Sequence, residues 1–272
     1  MTITYYLNKL PPALLFVSVL TLMAFVAGFS TFLFRKYNNR KILKSHNEVT
    51  GYLFLAIANF YALFLSFMVF VCLDQLMETK TNLSHESSSA LSLYRDIKLY
   101  PDTLETKNLM GVYLDFVNNV VNEELPNMEE LKPSPKTTES FNRVFFTIER
   151  LHPKDDFQIQ IIGGMFSHLN DLATSQGLRN GAIDSAIPPA TWLALITGAI
   201  ITIMCAMLLD IERIRLHILL NTLLGAFIGL FFFAIILLDQ PFSHILKGSP
   251  KSYEQIFTLE KKINQTNLLK AK

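Results

Sequence analysis

Three polar side chains recur at intervals of seven residues inside an apolar segment of the chain. Tyr52, Asn59 and Ser66 lie within residues 51–73, which contain no Asp, Glu, Lys or Arg. An amide or hydroxyl in such a segment needs a hydrogen-bond partner on a neighbouring helix or in water. Two interpretations follow: the face packs against other helices, or it lines a passive pore whose polar groups replace part of an ion's hydration.

Small and polar residues form similar faces in two later apolar segments. Spacings of three or four residues place each set on one side of a helix, and small side chains let helix backbones approach closely. The predicted helix-packing residues are Gly198, Thr202, Asn221, Gly225 and Gly229. A pore or an oligomer interface is the alternative interpretation of these faces.

No Asp, Glu, Lys or Arg lies within the predicted apolar segments, and charged residues begin at their ends. Proton pumps, ion-coupled carriers and voltage sensors usually place ionisable groups within the membrane, so this pattern disfavours those mechanisms. Charges at a rim would bias the approach of ions to a pore, although ordinary solvated helix ends carry the same residue types. The candidate rim charges are Asp74, Asp210, Arg213 and Asp239.

No motif for catalysis, metal binding or cofactor binding occurs in the sequence. The six histidines lack metal-ligand spacing, and neither a phosphate-binding loop nor a nucleophile elbow is present. Cys72 and Cys205 lie in apolar segments, which favours buried hydrophobic roles. Basic tracts with interleaved aromatic residues are also missing, so the sequence predicts neither an enzyme nor a nucleic-acid-binding protein.

The elements that must position these residues are four apolar segments. A membrane helix needs about 20 mostly apolar residues, and half of the chain is hydrophobic while only 17% is charged. The predicted spans are residues 12–34, 51–73, 188–209 and 216–238. The first segment is too long for a signal peptide and lacks a clear cleavage site, so it is predicted to be a retained helix. The lipid bilayer is therefore the first expected partner.

Basic residues in the short loops predict the sidedness of the spans. The loop between the first two spans is rich in Lys and Arg, and the link between the last two contains Arg213 and Arg215, so both are expected to be cytoplasmic. Residues 74–187 carry 17 acidic and 10 basic side chains and are then extracytoplasmic. Lys247, Lys251, Lys261 and Lys262 in the C-terminal segment favour the opposite orientation mildly. The predicted location is a bacterial cytoplasmic membrane.

The long segment between the second and third spans, residues 74–187, shows helical periodicity and no strand pattern. Pro126 is expected to end its second helix, and residues 126–140 are expected to form a loop. Residues 249–268 form a further amphipathic helix, which either packs against this bundle or lies in the lipid interface. The predicted fold class is an all-α integral membrane protein with four transmembrane helices and a helical-bundle insert between the second and third.

Several stretches together resemble one known family. HNEVTGYLFLAIANFYALFLSFMVFVCLDQ resembles the opening and small-residue span of the bestrophin-like domain family of unknown function, and LDQPFSHILKGSPKSYEQI resembles its close. PPATWLALITGAI resembles the third span, and the stretch YPDTLETKNLMGVYLDFVNNVVNEELPNM resembles a further block, with Leu125 where the family often has Trp. The resemblance implies an analogy to bestrophins, which are oligomeric anion channels with four membrane helices per subunit and a large cytosolic domain. This cytosolic placement is opposite to the one predicted from the loop charges.

Two function hypotheses remain open from the sequence. The first is a homo-oligomeric ion channel, by the resemblance an anion channel, with inorganic ions as ligands and the Asn59 and Ser66 face as the lining. The second is a membrane-anchored sensor or scaffold whose helical insert binds a ligand or a protein partner. A ring of four or more subunits favours the channel, whereas a monomer or dimer favours the sensor.

Overall fold

Helices make up all the regular structure of the described residues. The structure is a computed structural model, which describes residues 6–37, 44–101, 103–128, 134–183, 187–240, 242 and 250–270. No strand occurs within these ranges, so the predicted all-α class is confirmed. The helices are α1 (Pro12–Tyr37), α2 (Lys44–Leu99), α3 (Leu104–Asn119), a π-helix (Val120–Glu124), α4 (Leu125–Met128), α5 (Pro135–Glu149), α6 (Asp156–Ile183), α7 (Pro189–Met207), α8 (Ile214–Leu238) and α9 (Lys251–Lys270).

Four of these helices, α1, α2, α7 and α8, are long and apolar enough to cross a bilayer, as the sequence predicts. Helix α2 has 56 residues, whereas about 20 suffice to cross the hydrocarbon core. Its uncharged part, residues 51–73, is long enough to be the predicted membrane segment, and the rest of the helix carries the charged residues. The second span and the first helix of the predicted insert are thus one continuous helix.

The chain divides into two compact units. One unit consists of Met1–Leu76 and Ala186–His244, and is called the membrane unit here because it contains the four apolar segments. The other consists of Met77–Ser185 and Ile245–Lys272, and is called the helical unit.

Close backbone contact joins α1 to α8 in the membrane unit. A Cβ on Gly225 would lie 2.5 Å from the carbonyl oxygen of Met23, and one on Gly229 would lie 3.2 Å from the Cα of Leu20. The first distance leaves no room for a side chain, and the second is so short that the α1 backbone would have to shift, so glycine at both positions lets the two helices approach closely. Near them, the Asn221 amide donates to the Thr31 hydroxyl at 2.8 Å, which satisfies both polar groups in an apolar environment.

The inward face of α2 packs against α7 and α8. Its buried residues occur at steps of three or four; they are Tyr61, Leu65, Met68 and Cys72. A Cβ on Gly198 would lie 2.5 Å from the Tyr61 ring, and the Tyr61 hydroxyl donates to the Leu195 carbonyl at 2.9 Å. Gly198 therefore makes room for an aromatic ring whose polar end is satisfied by a helix carbonyl. The Thr202 hydroxyl is buried and donates to the Gly198 carbonyl within α7 at 2.8 Å.

The core of the helical unit contains residues from α2, α3, α5, α6 and α9. Tyr113, Val144 and Met165 are completely buried in it, together with Tyr253 and Ile256 of α9. The C-terminal helix thus packs against the bundle, which is the first of the two alternatives left open by its amphipathic pattern.

The expected helix end at Pro126 is wrong, because the helix continues to Met128. Proline lacks an N–H and its ring clashes with the carbonyl four residues earlier in an α-helix. The π-helix Val120–Glu124 avoids that geometry: the Leu125 N–H bonds to the Val120 carbonyl, five residues back. The expected loop over residues 126–140 is also wrong at both ends, since α5 begins at Pro135; residues 129–133 lie outside the described residues.

Candidate functional site

The three candidate pore-lining side chains lie on the exposed face of α2. Tyr52 is 68% exposed, and Asn59 and Ser66 follow it at intervals of seven residues, also exposed. The Ser66 hydroxyl donates to the Ala62 carbonyl of the same helix at 2.8 Å. Among the residues that the structure describes, none hydrogen-bonds to the Asn59 amide. In hydrocarbon this amide would be unsatisfied, at a considerable cost in free energy.

Apolar residues complete this face. Seven of the exposed residues of α2 follow one another at alternating steps of four and three; they are Tyr52, Ala56, Asn59, Leu63, Ser66, Phe70 and Leu73, called here the α2 stripe. This is the heptad spacing of residues that meet across a seam between helices. The face opposite the stripe is the buried one that contacts α7 and α8. Helix α2 therefore presents a continuous heptad face that no described part of the membrane unit covers.

Arg35, at the end of α1, bonds to the link between α7 and α8 and to helix α8. Its Nη1 donates to Asp210 Oδ1 at 3.0 Å, its Nη2 to the Ile211 carbonyl at 2.9 Å, and its Nε to His217 Nδ1 at 3.0 Å. Asn47, at the start of α2, accepts the Asp210 N–H at 2.7 Å and donates to the Asp210 carbonyl at 3.2 Å. Arg35, Asn47, Asp210 and His217 therefore form one network, called here the Arg35 network.

His217 is completely buried, and its two ring nitrogens have different roles. A guanidinium can only donate, so Nδ1 accepts from Arg35. Nε2 then carries the proton and donates to the Ala206 carbonyl at 3.1 Å. This arrangement requires a neutral imidazole. The only formal charges in the Arg35 network are thus those of Arg35 and Asp210, which compensate each other.

The four candidate rim charges fall into two groups. Asp74 and Arg213 are exposed. Asp210 is held in the Arg35 network, and Asp239 is only 6% exposed. The Asp239 Oδ1 accepts the Ile187 N–H at 2.7 Å, directly before the two prolines that start α7. Asp210 and Asp239 therefore hold helices together, whereas Asp74 and Arg213 face outward.

The sequence analysis did not single out Asn47 or pair Arg35 with Asp210. One signal for the ion pair was present: Arg35 and Asp210 each directly follow an apolar segment, and their loops were assigned to the same side. Opposite charges at neighbouring span ends are expected to pair, since an unpaired charge near lipid is costly. No comparable pattern marks Asn47, whose partner is the backbone of a residue 163 positions away.

Comparisons with known proteins identify relatives at the level of family and fold. A family model described as a bestrophin-like domain matches residues 14–253. A structure of a bacterial bestrophin homologue from Klebsiella pneumoniae is 16% identical, with a TM-score of 0.56, and the match covers 90% of this chain and 95% of that one. A mutant of such a homologue from the same organism is 15% identical, with a TM-score of 0.55 and coverage of 90% and 98%. No curated protein matches the chain.

Proposed function

The chain belongs to the bestrophin-like domain family, and on that premise we propose that it forms a homo-oligomeric ion channel with a passive pore on the oligomer axis. The α2 stripe of each subunit lines this pore. The observation that carries the proposal is the exposure of Asn59 and Ser66 on a membrane helix. An anion is the proposed permeant species, by the resemblance of the sequence to bestrophins, which are anion channels.

The physical argument concerns the Asn59 amide. In lipid, its two N–H donors and its carbonyl oxygen would lack partners, and an unsatisfied polar group in hydrocarbon costs several kcal/mol, roughly. In a ring of subunits, the same amide meets water, a permeating ion or the Asn59 of a neighbouring copy. Assembly around the α2 stripe therefore removes this cost and covers the exposed apolar residues of the stripe at the same time.

The chemistry of the stripe fits a passive pore. Residues 51–73 contain no charged side chain. This segment therefore has no carboxylate that could carry a proton and no arginine that could sense voltage. Amides and hydroxyls donate to anions and accept from hydrated cations. Asp74 is exposed directly after the stripe, where its charge changes the local concentration of ions.

The test is conductance of the purified protein in lipid bilayers under chloride, sodium and potassium gradients. We expect a conductance that Asn59→Leu changes in size or selectivity. The matched control is Thr21→Val, because Thr21 is an exposed polar residue of a different membrane helix and its substitution leaves the proposed lining intact. Bilayers that stay silent with correctly folded protein would contradict the proposal.

A membrane-anchored sensor is the second candidate, and one feature of the helical unit favours it. A cavity of about 500 Å³ is lined by residues of α2, α3 and α9, among them Lys98, Tyr100 and Glu260. This volume is in the range of small-molecule sites. The two candidates differ in oligomeric state: a ring of four or more subunits in mild detergent supports the channel, and a dimer supports the sensor.

A further inference from the structure

A completely buried arginine lies at the centre of the helical unit. Arg179 of α6 is 0% exposed. Its Nε donates to Glu86 Oε2 at 2.6 Å, and its Nη2 donates to Glu124 Oε1 at 2.8 Å. Its Nη1 contacts the Met128 sulfur at 2.7 Å. Two carboxylates and one guanidinium therefore share a site in which only the Glu124 side chain keeps slight solvent contact, at 5% exposure.

The two carboxylates differ in their remaining partners. Glu86 Oε1 accepts the Tyr253 hydroxyl at 2.8 Å. Glu124 Oε2 is buried and has no hydrogen-bond partner among the residues that the structure describes. Glu124 is the last residue of the π-helix, and Met128 follows it by one turn. The π-helix next to Pro126 thus places the side chains of Glu124 and Met128 against Arg179.

The formal charges of this site do not cancel. Glu86 of α2 and Glu124 of the π-helix face Arg179 of α6, and the other titratable groups nearby are the phenols of Tyr253 and Tyr113. Burial and the Glu86 carboxylate raise the pKa of Tyr253 well above its usual range, so this phenol stays a donor. With both carboxylates ionised, the site carries one net negative charge in a dry interior. An uncompensated buried charge is strongly unfavourable.

One bound proton removes this net charge. Burial raises the pKa of the Glu86 carboxyl; Arg179 and the Tyr253 hydrogen bond act in the opposite direction, and the charge of Glu124 adds to the increase. Glu86 and Glu124 share the single guanidinium of Arg179, so one proton on the site leaves one carboxylate facing one cation.

We propose that Glu86, Glu124 and Arg179 form a proton-binding site that couples pH to the attachment of α9. The link to α9 is direct, since Tyr253 is a residue of that helix and its hydroxyl donates to Glu86 Oε1. Tyr253 and Ile256 are both 0% exposed, so α9 cannot detach without opening the site. Attachment of α9 and occupancy of the proton site are therefore thermodynamically linked.

The direction of this linkage follows from the raised pKa. In the detached state, the glutamates meet water and titrate near their ordinary value of about 4.3. Above that pH the detached state has released its proton, while the attached state still holds one. A rise in pH therefore weakens attachment by up to about tenfold per pH unit, until the pair itself ionises. Acidic conditions hold α9 in place, and alkaline conditions loosen it.

The test measures amide hydrogen exchange of α9 in the full-length protein in detergent, between about pH 5 and pH 8, around the glutamate and histidine range. Protection factors of peptides from residues 251–263 are compared, which removes the intrinsic pH dependence of exchange. We expect protection in the wild type to fall as the pH rises. We expect Glu124→Gln, which leaves one carboxylate and one guanidinium, to show protection that does not change with pH.

Two further variants make the experiment decisive. Glu86→Gln also neutralises the site, and its amide can accept from Arg179 while donating to Tyr253, so it gives the same result if Glu124→Gln does not fold. Glu139→Gln makes the same chemical change at an exposed position of α5 and should retain the wild-type profile. A flat wild-type profile, or an unchanged slope in the Glu124→Gln and Glu86→Gln variants, would overturn the proposal. The outcome of this test does not depend on channel activity, because hydrogen exchange is the only quantity measured.

Discussion

At the scale of single residues, the membrane unit depends on positions where a side chain is excluded. Gly225 lies against the Met23 carbonyl of α1, and its missing Cβ sets the separation of α1 and α8. Gly51, also in a membrane helix, has open space where its Cβ would be. Both glycines lie in predicted spans, and the packing shows which of them leaves no room for a side chain.

We expect Gly225→Ala to destabilise the membrane unit by about 1–3 kcal/mol, the usual effect of forcing a methyl group into a packed contact. Thermal unfolding in detergent measures the change. Gly51→Ala serves as the control and should have little effect, or raise the unfolding temperature slightly, because alanine is the better helix former. Equal losses of stability in both variants would show that the close contact of α1 and α8 is not the cause.

At the scale of elements, the Arg35 network joins α1, α2 and α8 to the link between α7 and α8. The side chains of Arg35 and Asp210 are 17% and 31% exposed, so this ion pair is only partly screened by solvent. Arg35→Met should lower stability by about 1–3 kcal/mol, because it leaves Asp210 and His217 without a donor.

The matched control for this prediction is Arg213→Gln, which removes an exposed arginine from the same link and should change stability by less than about 0.5 kcal/mol. Chemical unfolding of both variants in detergent compares the two effects. Similar losses in the two variants would indicate a general dependence on positive charge and would refute a specific role for Arg35.

Local patterns predicted the elements better than the contacts between them. The length of each apolar segment is a local property, so the four spans and the all-α class followed from the sequence. The bond from Arg35 to His217 joins residues 182 positions apart, and a local sequence pattern cannot predict such a contact. The prediction of a helix end at Pro126 was wrong for a related reason. The π-helix that accommodates this proline also places Glu124 against Arg179, and that contact is visible only in the folded unit.

At the scale of the whole molecule, the sidedness of the helical unit remains a prediction from charge. Thr138 and Glu212 are both exposed, in the helical unit and in the link between α7 and α8, respectively. We expect an impermeant thiol reagent added to intact cells to label Thr138→Cys and to leave Glu212→Cys unlabelled, since the basic loops are retained in the cytoplasm. Labelling in the reverse pattern would place the helical unit in the cytosol, as in bestrophins.

Assembly around the α2 stripe is the central claim, and cysteine modification during ion flux tests it most directly. A positively charged thiol reagent is applied to reconstituted protein carrying Asn59→Cys, with wild type as the control for Cys72 and Cys205 and Thr21→Cys as the control for an exposed site on α1. We predict that flux through the Asn59→Cys protein changes at once on modification, while flux through both controls does not. Complete modification at residue 59 with unchanged flux would contradict a pore lined by this face of α2.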